Sequence, residues 1–362
     1  MTAAETATET TIISGGAPEK PQGTKTNRKK FGKPSTRRWQ RLVVRLLQFA
    51  GGQLQRMPRD RALRWGYRIG KVAYLAGGKQ RLYADRNLRL AQFPTHSATA
   101  RERDRLIRRV FTHFAKTAVD FLRGPALTDN GLQTLVRVED WHHMGDAIAA
   151  GHGVILLTAH LGNWEMLGRY LISRGARLTV IAREPEDPTF GAYLRDLRQS
   201  AGFVVRDKGN AARDVLAALK RGDVVGILPD QNSGDVFAPF FGVPAGTPAG
   251  PALFALRTGA PIVPGYVVQL PDDTYLARFF PPIVAENTGD RAADVQRIMT
   301  EANHRLEGLV REYPDQWLWL HNRWKSAFER KNAARAWAGG TEDADSGAYR
   351  EALMRWQPQT DK

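Results

Sequence analysis

From about residue 135 the chain is punctuated by seven short apolar runs: "VRVED", "GVILLTA", "RLTVIA", "GFVVR", "DVVGILPD", "PIVPGYVVQ" and "YLARFF". No other feature constrains the fold as strongly. Runs of this length and apolarity read as strands buried on both faces. Helical stretches such as "WEMLGRYLISRG" and "AARDVLAALKRG" stand between them. Strand and helix in alternation build βαβ units, which place helices on both sides of one sheet. Upstream, "RALRWGYRIGKVAYLAGG" and "DRLIRRVFTHFAKTAVDFLR" carry apolar residues at three- and four-residue spacing and read as helices. The expected fold is α/β: a largely parallel central sheet flanked by helices, with an N-terminal helical segment.

Residues 1–36 are rich in Thr, Ala, Gly, Pro and Lys and poor in large apolar groups. Such a stretch buries too little to offset the entropy of ordering, so it reads as a disordered arm. The arm is basic. After Glu19 no acid occurs until Asp60, while ten Lys and Arg accumulate from Lys20 to Arg45. It is either a solubilising tail or an arm drawn to anionic lipid, where each basic residue near the surface contributes about 1 kcal/mol. Residues 37–58 follow as an amphipathic helix. Trp39, Leu42, Val43, Leu46, Phe49, Ala50 and Leu54 recur at helical spacing, with Arg38, Arg41, Arg45, Gln48 and Arg56 opposite; Val44 interrupts the pattern and Gly51-Gly52 weakens it. A basic amphipathic helix with a Trp suits the plane of a membrane surface; the alternative is packing on the protein's own core. Residues 59–330 form the main domain, and 331–362 a polar tail. No run of about 18 apolar residues provides a spanning helix, and the opening stretch lacks the pattern of a secretory signal.

Cysteine is absent, which excludes disulfides, thiolate metal sites and a cysteine nucleophile. The 53 Lys and Arg against 37 Asp and Glu leave a net charge of +16. That surplus favours anionic partners: nucleic acid, a phospholipid surface or an acidic carrier protein.

The stretch "TAHLGNWE", Thr158 to Glu165, joins the strand "GVILL" to the helix "WEMLGRYLISRG", with Asn163 as its N-cap and Gly175 as its stop. His160 therefore sits in a strand-to-helix turn at the carboxyl edge of the sheet, where open α/β folds bind ligands. Glu165 lies in the first helical turn. Across the turn the two are expected to meet, the carboxylate fixing the imidazole tautomer so that the other nitrogen takes a proton from a substrate hydroxyl. The helix N-terminus offers N–H groups to an oxyanion or phosphate. Neither "G-x-S-x-G" nor a cysteine is present, which argues against an acyl-enzyme route. A structural histidine and a helix-terminal acid are the plain alternatives.

"GKVAYLAGGKQRLYADRNLRLAQFP", "GVILLTAHLGNWE", "IAREP", "GILPDQ", "FFGVPAGTPAGPALFALRTGAPIVP" and "WLWLHNRWK", taken in order, resemble the bacterial lipid A biosynthesis acyltransferases (lauroyl and myristoyl transferases) of the lysophospholipid acyltransferase superfamily. The resemblance spans about residues 39–328. It implies an acyltransferase domain over 59–330, with His160 as general base and Glu165 as its orienting carboxylate. It also places Arg183 and Asp230 on further active-site positions; Asn163, at the helix start, is a further candidate to bind substrate, oxyanion or phosphate. Arg183 would hold a phosphate or an oxyanion. Asp230 would bind Arg183 or a sugar hydroxyl, or is simply a turn acid after Pro229.

Phe240 and Phe241, in a Gly- and Pro-rich loop, are candidates to line an acyl groove or to anchor the loop in the core. His321, Arg323 and Lys325 form a basic rim for phosphate or carrier, or a solvated face. No metal or cofactor is implied. The implied partners are acyl carrier protein or acyl-CoA as donor, a phosphorylated glycolipid as acceptor and an anionic membrane surface; nucleic acid is not expected. The implied location is the cytoplasmic face of a bacterial inner membrane, held peripherally or by one N-terminal anchor. Acylation of another glycolipid, such as a phosphatidylinositol mannoside, and a non-catalytic binder on the same scaffold are the alternative readings.

Overall fold

A computed structural model describes residues 34–95, 97–182, 187–207 and 211–329. The expected arm up to residue 33, the polar tail from 330 and Arg183 lie outside these residues. The chain divides after Trp39, within its first helix, and the packing and contacts below concern the unit that begins at Gln40.

All seven apolar runs are strands of one sheet: β1 (Val136–Glu139), β2 (Val154–Leu157), β3 (Leu178–Ala182), β4 (Val204–Asp207), β5 (Val224–Ile227), β8 (Ile262–Gln269) and β9 (Tyr275–Phe279), in the order β1-β9-β8-β2-β5-β3-β4. Every neighbouring pair is parallel except β8 with β9. The antiparallel pair follows from its short connection, closed by Asp272 and Asp273, which leaves no room for a crossover helix.

Helices cover both faces, as the unbroken apolarity of β2 requires. Val154 and Leu156 join a cluster with Met144 of α6 (His142–Ala149) and Met166, Leu167 and Leu171 of α7 (Trp164–Ser173). Ile155 and Leu157 join another with Val215 and Leu219 of α9 (Ala211–Lys220), Ala252 of α10 (Gly250–Thr258) and Ile298 and Met299 of α11 (Arg291–Glu312). Full burial of each such side chain is worth about 1.5–3 kcal/mol, so the centre of the sheet is the anchor of the fold.

The N-terminal helical segment comprises α1 (Pro34–Arg56), α2 (Arg59–Ala76), α3 (Gly78–Leu90) and α4 (Ala100–Arg123), and the short α5 (Asp129–Leu135) leads from it into β1. α2 and α4 pack at backbone distance: a Cβ on Gly70 would lie 2.5 Å from Thr112 Cα, and one on Gly66 3.0 Å from Lys116 Cα. α4 opens with a capping box, Thr99 and Glu102. In α1 the buried positions are Val44, Gly51 and Leu54, while Leu42, Leu46 and Phe49 are about half exposed or more. Val44, which interrupts the apolar pattern in the sequence, is thus one of the residues that holds the helix to the body.

Two expectations are corrected here. The Gly- and Pro-rich segment around Phe240 is a β-hairpin, β6 (Val236–Phe240) with β7 (Val243–Thr247), joined by Phe241-Gly242 at φ 51° and 71°. Positive φ at both central residues is the two-residue turn that suits strand twist. And Phe240 and Phe241 line no groove. Phe240 has no exposed surface; its ring meets Trp317 at 5.1 Å and Trp324 at 5.8 Å, while Phe241 meets Trp319 at 5.8 Å. They belong to an aromatic core beneath the carboxyl edge of the sheet.

Candidate active site

β2 and β5 are neighbours, with Leu157 opposite Ile227. His160 stands three residues beyond the first and Asp230 three beyond the second, so strand register alone brings them level at the carboxyl edge. Their side chains meet. His160 Nδ1 donates to Asp230 Oδ1 at 2.8 Å. The other carboxylate oxygen, Oδ2, accepts the His160 backbone N–H at 2.9 Å and the Trp317 indole N–H at 3.1 Å. Burial on its own would raise the Asp230 carboxyl, but the charge and hydrogen bonds of His160 and the Trp317 bond outweigh it and hold the group below its ordinary value. The His160 side chain keeps 21% of its surface exposed while Asp230 keeps 2%, so the imidazole is the reachable member of the pair.

With Nδ1 committed to Asp230, Nε2 carries the lone pair. It faces Gln231 Nε2 at 3.4 Å, and the Trp164 ring lies edge-on to the imidazole at 4.9 Å between centroids. Such an arrangement can serve as a general base: an oriented imidazole whose far nitrogen meets only the Gln231 amide, and a buried carboxylate able to stabilise the imidazolium.

The turn that carries His160 is clamped on three sides. Gly162 has φ 60°, and a Cβ on it would lie 1.7 Å from Val267 C=O of β8. Its C=O accepts from His113 Nε2 of α4 at 3.1 Å, and its N–H donates to Gln316 C=O at 2.9 Å. Burial pushes the His113 imidazole down to about 4, against the opposing hydrogen bond to Gly162. The Asp230 loop is fixed from the C-terminal segment: Asn232 N–H donates to His321 Nε2 at 3.0 Å, and Asn232 Nδ2 to Ser326 Oγ at 2.9 Å.

Several expected site residues stand elsewhere or do other work. Glu165 does not meet His160. Its carboxylate is held by Arg198 of α8 (Pro188–Gln199), with Nη2 2.5 Å and Nε 3.0 Å from Oε1. The reason is local: Asp230 already occupies the place beside Nδ1, the ring of Trp164 packs against the imidazole, and Glu165, one residue on, turns to Arg198. Asn163 is the N-cap of α7, its Oδ1 accepting from Met166 N–H at 3.1 Å. It is buried, and its amide donates to the Tyr275 hydroxyl at 3.0 Å, which passes on to Asp120 and Arg59. It faces no cleft.

The expected basic rim does not form either. Arg323 is 1% exposed, bonded to Gly246 C=O at 2.5 Å and Thr247 Oγ1 at 2.8 Å, and burial lowers it to about 10. His321 is an acceptor for the Asn232 amide, and burial lowers its pKa. Lys325 alone is exposed. Among the described residues no group of acids and histidines is arranged to hold a metal.

Trp317, Gln231 and His113 were not expected at the site. The signals are partial: "GILPDQ" contains Gln231 beside Asp230 without giving it a role, and "WLWLHNRWK" reads as a closing signature without revealing that its first indole reaches Asp230.

Comparison with known proteins matches residues 29–326 to the family described as bacterial lipid A biosynthesis acyltransferase. A phosphatidylinositol mannoside acyltransferase of Mycolicibacterium smegmatis is 27% identical over 238 residues, 64% of this chain and 76% of that protein. A lipid A biosynthesis palmitoleoyltransferase of Escherichia coli is 26% identical over 269 residues, 72% of this chain and 84% of its own length. A lipid A biosynthesis lauroyltransferase of the same organism is 26% identical over 288 residues, 75% and 88% of the two chains.

Proposed function

The chain belongs to the bacterial lipid A biosynthesis acyltransferase family, and on that premise we propose that it transfers a fatty acyl chain from an acyl thioester to a hydroxyl of a lipid A precursor, with His160 as general base. Membership makes it an acyltransferase, with an acyl donor and a glycolipid acceptor. The observation that carries the proposed role of His160 is its 2.8 Å bond to the buried Asp230, which leaves Nε2 as the basic nitrogen of a side chain that keeps 21% of its surface exposed.

The reaction runs without a covalent enzyme intermediate. Nε2 removes the proton of the acceptor hydroxyl, and the oxygen attacks the thioester carbonyl. The tetrahedral oxyanion collapses, expelling the thiolate, which takes the proton back from the imidazolium. Asp230, charged throughout, stabilises the imidazolium and keeps the tautomer. The incoming hydroxyl displaces the Gln231 amide from Nε2. N–H groups at the start of α7, or Arg183, stabilise the oxyanion. Glu165 acts at one remove, holding α8 to α7 through Arg198.

The donor is an acyl carrier protein or coenzyme A thioester; both are anionic and suit the +16 charge. Among the described residues no helix is long and apolar enough to cross a membrane. Exposed apolar side chains on α1 and α2, with Arg45, Arg56 and Arg68 close by in sequence, support peripheral attachment to an anionic inner-membrane surface on its cytoplasmic face. A phosphatidylinositol mannoside is the second acceptor, favoured by the M. smegmatis relative.

The test is acyl transfer from carrier-protein and coenzyme A thioesters to a lipid A precursor and to a phosphatidylinositol mannoside, read by mass spectrometry of the lipid. Wild type should add one acyl chain to the lipid A precursor, and His160→Ala should fall by about a hundredfold to ten-thousandfold. Addition to the mannoside alone would transfer the assignment to that acceptor. Normal turnover by His160→Ala would remove the base.

A further inference from the structure

A cavity of about 870 Å³ lies between α2 and α4, bounded also by Gln269–Pro271 at the end of β8 and by Tyr313, Asp315 and Gln316 after α11. His160 and Asp230 are not among its lining residues. Two short segments, 160–162 and 316–318, are bridged antiparallel between it and the His160–Asp230 pair: Gly162 N–H donates to Gln316 C=O, and Leu318 N–H to His160 C=O at 3.1 Å. Trp317 turns its indole to Asp230, while its neighbour Gln316 lines the cavity. On the other segment His160 faces Asp230, and the Gly162 carbonyl is met by His113, a residue of the cavity wall.

Lys71, Arg108, Arg109 and Lys116 line this cavity, with Asp315 as the acid among the lining residues. Three carboxylates pair with these cations: Asp104 with Arg108 at 2.8 Å, Asp315 with Arg109 at 3.5 Å, and Asp273 with Lys116. Lys71 lies 4.4 Å over the Tyr67 ring and has no carboxylate partner among the described residues. The two arginine pairs are open to water, and such pairs contribute at most about 1 kcal/mol. A phosphate that engages a guanidinium through two bonds competes well against them.

The mouth differs in character. Tyr67 and Leu75 are 47% and 70% exposed, and Leu75 ends a row on α2 with Trp65, Ile69 and Val72, each about half exposed or more. An apolar row that runs into a cationic, tyrosine-walled cavity matches an amphiphile with an anionic head. We propose that this cavity binds the phosphate headgroup of an acidic membrane phospholipid, whose acyl chains lie along the exposed face of α2.

The test measures binding alone, so it stands whether or not acyl transfer to a given acceptor is found. Dihexanoyl phosphatidic acid, kept below its micelle concentration, is titrated into the full chain by calorimetry, with inorganic phosphate in a parallel arm. The lipid should bind wild type and His160→Ala alike, and the exposed double variant Lys71→Ala/Arg109→Ala at least about tenfold more weakly. Phosphate alone should bind at least about tenfold more weakly than the lipid, because it lacks the apolar contact. Equal affinity of wild type and the double variant would overturn the site. Loss of binding in His160→Ala would place the lipid in the catalytic cleft, and phosphate binding as tightly as lipid would replace the lipid by a free phosphate; either result overturns the proposal.

Discussion

At the residue scale, two carboxylates share one short neighbourhood and are assigned different work. Asp230 touches His160, whereas Glu165 touches Arg198. Neutralising each separates the roles. Asp230→Asn keeps the shape but loses the charge opposite the imidazolium, so kcat should fall by about a thousandfold or more with a small change in melting temperature. Glu165→Gln leaves Arg198 short of its partner. Its cost is stability, below the roughly 3–5 kcal/mol of a fully buried pair because Arg198 is 23% exposed, and activity measured well under the melting point should be largely kept. Steady-state kinetics beside thermal denaturation of both variants decides it. His160 was legible from "TAHLGNWE" because a strand, a turn and a helix start are local patterns. Its partner was not. Asp230 lies 70 residues away in sequence, and only the pairing of β2 with β5 brings it level; a sequence spacing cannot encode which strands become neighbours.

At the scale of elements, the seven strands were readable because fully apolar runs leave little else to form. The hairpin β6–β7 was not, because Pro239, Pro244, Gly242 and Gly246 are the residues that mark a loop. They are tolerated where the two strands pair only with each other, Pro239 opposite Pro244, outside the main sheet. The turn after β2 is the least forgiving element. Gly162→Ala meets Val267 C=O and adopts a left-handed backbone that costs about 1–2 kcal/mol before any clash. We expect a lower melting temperature together with loss of acyl transfer at temperatures where the variant is still folded, since the turn must shift and carry His160 with it. Circular dichroism and the mass-spectrometric assay on one preparation test this.

On the scale of the whole molecule, acid should weaken the fold in a defined window. The His113 imidazole is held neutral by burial, at about 4 against an ordinary 6.5, with Asp315 opposing and Lys116 assisting that shift. Between those values the unfolded chain binds the proton and the folded chain does not, so stability falls as pH drops from about 6.5 to about 4 and levels off below. The full effect is about 3 kcal/mol. Asp230, held below its ordinary value, adds a loss at still lower pH, as pH falls through its folded value. Denaturant titrations from pH 7 to 4.5 should give a flatter profile for His113→Gln than for wild type.

The pinning of the Asp230 loop by Trp317, His321 and Ser326 bears on the order in which the protein is made. The ribosome delivers His160 and Asp230 long before those residues. Until the last of them has docked, the carboxylate lacks its indole donor and the loop its two anchors. On the proposed mechanism, a nascent chain carries its reactive histidine unarmed until the segment from Trp317 to Ser326 has emerged and docked.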